Sequence, residues 1–160
     1  MNPEQIPDTV SRGNVNVAER LMILDRTEPH AVLATESAGQ PYTSLIAYAL
    51  TPDAKRLLFI TPRRTQKFKN ILRNRRVSLL IDNRRNTDED YMSAESVTIM
   101  GTARPVKRGP TRMELATIFA RKHPRLTRII SSPATALILV QITVCIHVTR
   151  FQSVTIWEVK

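Results

Sequence analysis

With 160 residues, 42% of them apolar but only 5% aromatic, the chain has the size of one ordinary domain and can bury a core without covalent staples. Its one cysteine, Cys145, excludes a disulfide framework within the chain, and a formal charge of +10 favours an anionic partner: nucleic acid, a membrane surface or a phosphorylated small molecule. The opening "MNPEQIPDTVSRGNVN" lacks an apolar signal-peptide core, and the stretch "ALILVQITVCIHV" is too short for a membrane helix and is broken by Gln141, Thr143 and His147, so a cytoplasmic protein with no membrane attachment is expected.

Residues 1–15 read as a flexible arm, and 16–160 as one domain. Asn16 is a good N-cap, with Glu19 three residues on. The following helix places Val17, Leu21 and Leu24 on one face and stops at Pro29. "AVLATE", "YTSLIAYAL" and "RLLFIT" read as three strands joined by the turns "SAGQP" and "TPDAK", an antiparallel meander. Pro62 ends the third strand, and Thr65 can cap a helix whose apolar stripe is Phe68, Ile71 and Leu72, with Lys67, Lys69, Asn70 and Arg73 pointing elsewhere. "VSLLID" is a fourth strand, "NRRNTDEDYMSAE" a charged loop and "SVTIMGTARPV" a fifth strand, in which Gly101 signals a bulge or a close approach. "TRMELATIFARKHP" is a second amphipathic helix. In the tail, Ile142, Val144, Ile146 and Val148 alternate with Gln141, Thr143, Cys145, His147 and Thr149, so the first set should be buried and the second should form a more polar face. "SVTIWEV" repeats the alternation. The expected fold is mainly β (α+β): a small antiparallel barrel of six or seven strands with helical covers.

The charge is concentrated. Nine cations lie between Lys55 and Arg76, with no acid between Asp53 and Asp82. A basic surface helix is most often simply solvated. A single-strand binder would interleave stacking aromatics, yet this stretch offers only Phe59 and Phe68, and flanking strands argue against a helix-turn-helix. Nucleic-acid binding is therefore expected to be weak and non-specific. A single phosphate has a physical logic here. A strand ends at Thr61 and a helix begins near Thr65, so the free N–H groups of its first turn, the helix dipole, two hydroxyls, Arg64 and Lys67 all favour an anion.

The stretch "LLFITPRRTQKFKNILRNRRVSLLID", with "GQPYTSLIAYAL" before it and "SVTIMGTARPV" after it, resembles the pyridoxamine 5'-phosphate oxidase-like superfamily of FMN-binding split barrels. The resemblance covers roughly residues 17–150 and implies a split β-barrel, bound FMN and a homodimer with two flavins at the interface. By position, Thr43, Ser44, Leu45, Ile46 and Ala47 would run along the isoalloxazine ring, with Ile60 and Thr61 beside the ribityl-phosphate arm. Arg64 and Thr65 would stand near the phosphate. Gln66 and Lys67 would take the two phosphate positions; the family often has Arg at the first, and Arg63 or Arg64 could compensate. Ser96 would contact the flavin of the other subunit. The end "RFQSVTIWEVK" does not reproduce the family's Arg- and Trp-bearing terminal segment, which argues against pyridoxamine 5'-phosphate as substrate.

No conventional catalytic set is visible. His30, His123 and His147 have no metal-ligand spacing; His123 reads as a helix cap and Cys145 as a packed thiol. Asp88, Glu89 and Asp90 read as a solvated loop balancing Arg84 and Arg85. A cofactor that carries the chemistry suits this absence. The leading expectation is an FMN-dependent oxidoreductase acting on a small molecule, with NADH or NADPH as candidate electron donor. The alternatives are a deazaflavin or haem relative, a flavin- or phosphate-binding module without turnover, and a basic nucleic-acid-associated protein.

Overall fold

The computed structural model describes residues 9–160. Six antiparallel strands close a barrel in the order β7–β4–β3–β2–β5–β6, with β6 pairing back onto β7. They are β2 (His30–Ser37), β3 (Gln40–Leu50), β4 (Arg56–Pro62), β5 (Arg76–Asp82), β6 (Glu95–Pro105) and β7 (Thr135–Thr149). Two further strands extend the sheet: β8 (Ser153–Glu158) pairs with β7, and β1 (Ser11–Arg12) pairs in parallel with β8. The mainly β barrel expected from the sequence is the observed fold. Of the N-terminal arm, residues 1–8 lie outside the described residues, whereas Ser11 and Arg12 are part of the sheet.

Helix α1 (Val17–Thr27) starts where Asn16 accepts a hydrogen bond from the Glu19 N–H at 3.2 Å. Its Val17, Leu21 and Leu24 enter the barrel core beside Leu33, Phe59 and Ile99. Helix α2 (Gln66–Arg73) adds Phe68 and Ile71 to the same core. A second cluster lies outside the wall. There Leu115 and Phe119 of α4 (Pro110–Lys122) cover Ala49, Leu58, Leu137 and Leu139. Strands β3, β4 and β7 are thus buried on both faces beneath α4, which is why "YAL", "LLF" and "ALILV" are apolar runs without alternation. Helices α3 (Asp90–Ser93) and α5 (Thr127–Ile130) are single turns.

Two expectations are corrected. In α2 the buried stripe is Phe68, Asn70 and Ile71, while Leu72 is 59% exposed. Asn70 can be buried because its amide donates to Thr35 Oγ1 at 3.0 Å and its carbonyl accepts from Gln66 Nε2 at 2.7 Å. In β7 the alternation changes phase. Met100 pairs with Val144, but Gly101 pairs with Ile142, so Thr143 is an extra residue, a β-bulge. Ile142 faces inward before it; after it Cys145 and His147 face inward, and Val144, Ile146 and Val148 turn out. Before the bulge the expected pattern holds, with Gln141 exposed and Ile142 buried; beyond it, Cys145 and His147 of the set that reads as polar are the buried residues. The Gly101 signal was real: a Cβ there would overlap the carbonyl oxygen of Gln141.

Candidate functional site

The barrel is split between β3 and β4. Their ladder covers only Tyr48–Leu50 against Leu57–Phe59. Before Tyr48, β3 pairs on one edge only, with β2, from Ala47 opposite His30 to Gln40 opposite Ser37. After Phe59, β4 pairs on one edge only, with β7. Backbone N–H and C=O groups on the open edge of Thr43–Ala47 therefore have no ladder partner. Side chains alternate along this edge. Thr43 and Leu45 are exposed and Ala47 is half-buried, whereas Ser44 and Ile46 face the barrel interior. Ser44 Oγ is buried with no hydrogen-bond partner among the described residues.

Helix α2 crosses the mouth of this split, from the end of β4 to its Asn70–Thr35 contact with β2. Its N-terminus is capped from within. Thr65 Oγ1 donates to Pro62 O at 3.0 Å and accepts from the Phe68 N–H at 3.4 Å, and it lies 2.7 Å from Thr61 Oγ1. Both hydroxyl protons are consistent with internal use, so neither threonine offers the free donor its position suggests. Such a cap stabilises the helix by about 1 kcal/mol. Two donors remain open in the first turn, the backbone N–H groups of Gln66 and Lys67, which have no acceptor among the described residues. The side chain of Gln66 turns back along its own helix to Asn70. The half-buried Lys67 and the exposed Arg64 form no ion pair among the described residues, whereas Arg63 leans the other way, its Nε donating to Pro133 O at 3.1 Å. Ile60 is half-buried, facing α4, and Thr61 is buried.

The sequence-derived residues on β3, β4 and α2 thus border one split, while Ser96 does not. It sits on β6, opposite Asp82 and Val148, on the far side of the barrel from β3. There it lines an outward cavity of about 250 Å³ with Leu80, Ala94, Val148 and Phe151. Only a second copy of the chain could bring a Ser96 to this split.

A buried polar network escaped the sequence reading. Glu95, 7% exposed, opens β6 and accepts two hydrogen bonds from the Arg20 guanidinium, one on each oxygen; His147 Nε2 donates at 2.8 Å to Oε2, the oxygen that also accepts from Arg20 Nε. The backbone N–H of Glu95 donates to Asn83 Oδ1 at 2.8 Å. Burial pushes the Glu95 carboxyl up, but Arg20 and His147 outweigh it and hold the group below its ordinary value. His147 Nδ1 is buried and unpartnered among the described residues. The inward parity of Glu95, Val97 and Ile99 was a legible signal for Glu95; the bulge hid the one for His147. The other residues behave as structure. His123 Nε2 lies 2.7 Å from Tyr48 O at the end of α4, and burial pushes its pKa down. Cys145 is fully buried, its thiol pushed up to about 12 by burial. Asp90, the first residue of α3, accepts from the Arg85 and Thr87 N–H groups of the exposed loop before it. No helix among the described residues is long and apolar enough to cross a membrane.

Among solved structures, a haem-binding protein from Mycobacterium smegmatis superposes with a TM-score of 0.79 at 14% identity, over 91% of this chain and 59% of its own. An FAD-binding protein from Mesorhizobium loti gives 0.64 at 16% identity, over 81% and 92%. A putative pyridoxamine 5'-phosphate oxidase from Listeria innocua gives 0.61 at 13% identity, over 79% and 94%. At these identities the likeness is one of fold. No curated protein matches the chain. The sequence profile described as Pyridoxamine 5'-phosphate oxidase matches residues 23–147, from α1 through the bulge of β7, and the chain belongs to that family.

Proposed function

We propose that the chain is an FMN-binding oxidoreductase that works as a homodimer on a small organic substrate. The observation that carries this reading is the split itself: an unpaired β3 edge lies beside a helix N-terminus whose first two N–H groups and Lys67 have no partner among the described residues. Amide dipoles and a lysine together favour a phosphomonoester. The open edge of Thr43–Ala47 offers backbone donors and acceptors to a flat heterocycle, and Leu45 and Ala47 offer it apolar surface. Lys67, with the Gln66 and Lys67 N–H groups, would hold the phosphate, and Arg64 would add charge. Thr61 and Thr65 would shape the cradle rather than donate to the ligand. The chemistry FMN supplies when bound is hydride or electron transfer. The chain would position it, tune its polarity and shield it from water, with NADH or NADPH as the candidate donor.

The dimer reading rests on the outer face of β5–β8. Leu80, Thr98, Ile146 and Ile156 form one row across four strands, flanked by Met100 and Val144 on one side and Val148 and Val154 on the other. Ile156 is 62% exposed. An apolar sheet face of this breadth suits a self-complementary interface. It also carries Ser96, the residue that would reach the partner's split. A cytoplasmic setting fits the buried free thiol.

The test is the visible spectrum of the purified protein, with its cofactor identified by mass, then turnover with NADH or NADPH. A flavin spectrum with turnover is expected. A Soret band would replace FMN by haem. Bound flavin without turnover would leave a binding module.

A further inference from the structure

The basic run that leads into α2 meets a second one. Residues 104–128 carry eight cations against a single acid, Glu114. Arg63 from the first run and Arg108 and Arg112 from the second wall one cavity of about 360 Å³, set between the end of β4, the start of α4 and the turn before β7. Ser131, Ser132 and Thr135 supply hydroxyls to its lining, and among the described residues no acidic residue lines it. This lies beyond the split and uses none of the residues proposed to hold FMN; Arg63, which the sequence offered as a substitute at the FMN phosphate, lines this cavity instead.

Two of the guanidinium groups are held in place. Arg63 Nε donates to Pro133 O at 3.1 Å, and its guanidinium sits over the Phe68 ring, 5.8 Å from the centroid. Arg112, half-buried, donates to Ile130 O at 3.1 Å. Backbone carbonyls orient these groups but neutralise no charge. Among the described residues, none of the three arginines has a carboxylate partner. Thr135 is 4% exposed yet lines the cavity, and its hydroxyl makes no hydrogen bond to another described residue. Three cations around one cavity repel one another unless an anion sits among them. The planar guanidinium fork matches tetrahedral oxyanions, and three positive charges suit a dianion better than a carboxylate.

We propose that this cavity binds a phosphate dianion, either free or carried as a phosphomonoester on a small molecule, at a site separate from the FMN cradle of β4 and α2. The experiment is isothermal titration of the full chain with inorganic phosphate, phenyl phosphate and FMN, for wild type, Arg108→Gln, Arg108→Gln/Arg112→Gln and Lys67→Ala. Arg108→Gln should weaken phosphate about tenfold and the double variant further, at unchanged FMN affinity. Lys67→Ala should leave the cavity's phosphate affinity unchanged. Because Arg108 is exposed, its single variant keeps the test valid should the double variant fail to fold. Tighter phenyl phosphate would identify a carried group, and tighter inorganic phosphate the free ion. Phosphate affinity that is undetectable, that is indifferent to Arg108, or that falls only with Lys67→Ala would overturn the site. So would mutual exclusion of phosphate and FMN. Intact phosphate binding without FMN binding would sink the flavin reading alone.

Discussion

Gly101 of β6 packs directly onto the Gln141 carbonyl of β7, at the point where the two strands slip register by one residue. The close approach leaves no room for a Cβ, and Val140 Cγ1 stands 3.0 Å from where one would be. Gly101→Ala should therefore destabilise the fold by about 1–3 kcal/mol, the usual cost of overpacking a tight site. Urea denaturation measures it. Wild-type stability in the variant would mean that the strands part easily here.

Lys67 tests the phosphate cradle. A charge-assisted bond contributes about 1.5–3 kcal/mol, so Lys67→Ala should weaken FMN roughly 10- to 150-fold. Riboflavin, which has no phosphate, should bind the variant and wild type alike. Phe68→Ala should instead lower stability by about 3–5 kcal/mol, because Phe68 is 7% exposed in the barrel core. Titration of apo-protein with both flavins separates the two effects. Equal losses for FMN and riboflavin would assign Lys67 a structural role.

Glu95 is the one carboxylate that receives both Arg20 and His147. Glu95→Ala would leave His147 buried without its acceptor; Arg20 still reaches water, which moderates the loss. The expected destabilisation is about 2–3 kcal/mol. The sign with pH follows from the lowered pKa. A carboxylate held below its ordinary 4.5 stabilises the fold above that value, and its contribution is lost as pH falls from there through the folded-state pKa. The gap between wild type and variant, read from chemical unfolding across pH 3–7, should be full near neutrality and shrink in acid. A gap that is constant with pH would show that packing, not charge, is lost.

The outer sheet face tests the dimer. Light scattering at micromolar concentration should give twice the chain mass of 18.2 kDa. Ile156→Asp, on a residue already 62% exposed, should shift the mass to that of one chain without loss of fold. A monomeric wild type would count against a shared flavin site, since Ser96 could then reach no split.

Much of this protein was written locally. The Asn16 cap, the Val17–Leu21–Leu24 face, the meander of β2, β3 and β4, and the helix starting after Thr65 follow from short-range periodicity and capping chemistry, which act within a few residues. The strand-loop-helix of residues 56–73 likewise located the candidate phosphate cradle. What sequence could not settle depends on partners far along the chain. Whether Thr65 spends its hydroxyl on Pro62 or on a ligand, and whether Asn70 is buried, is decided by Thr61 and by Thr35 of a distant strand. The same holds for β7. Its alternation is clear from residue to residue, but a single extra residue opposite Gly101 reverses which set faces inward, because side chains alternate with a period of two. Only the closed barrel fixed that register. It placed His147 against Glu95 in the interior and left Val144, Ile146 and Val148 on the outside.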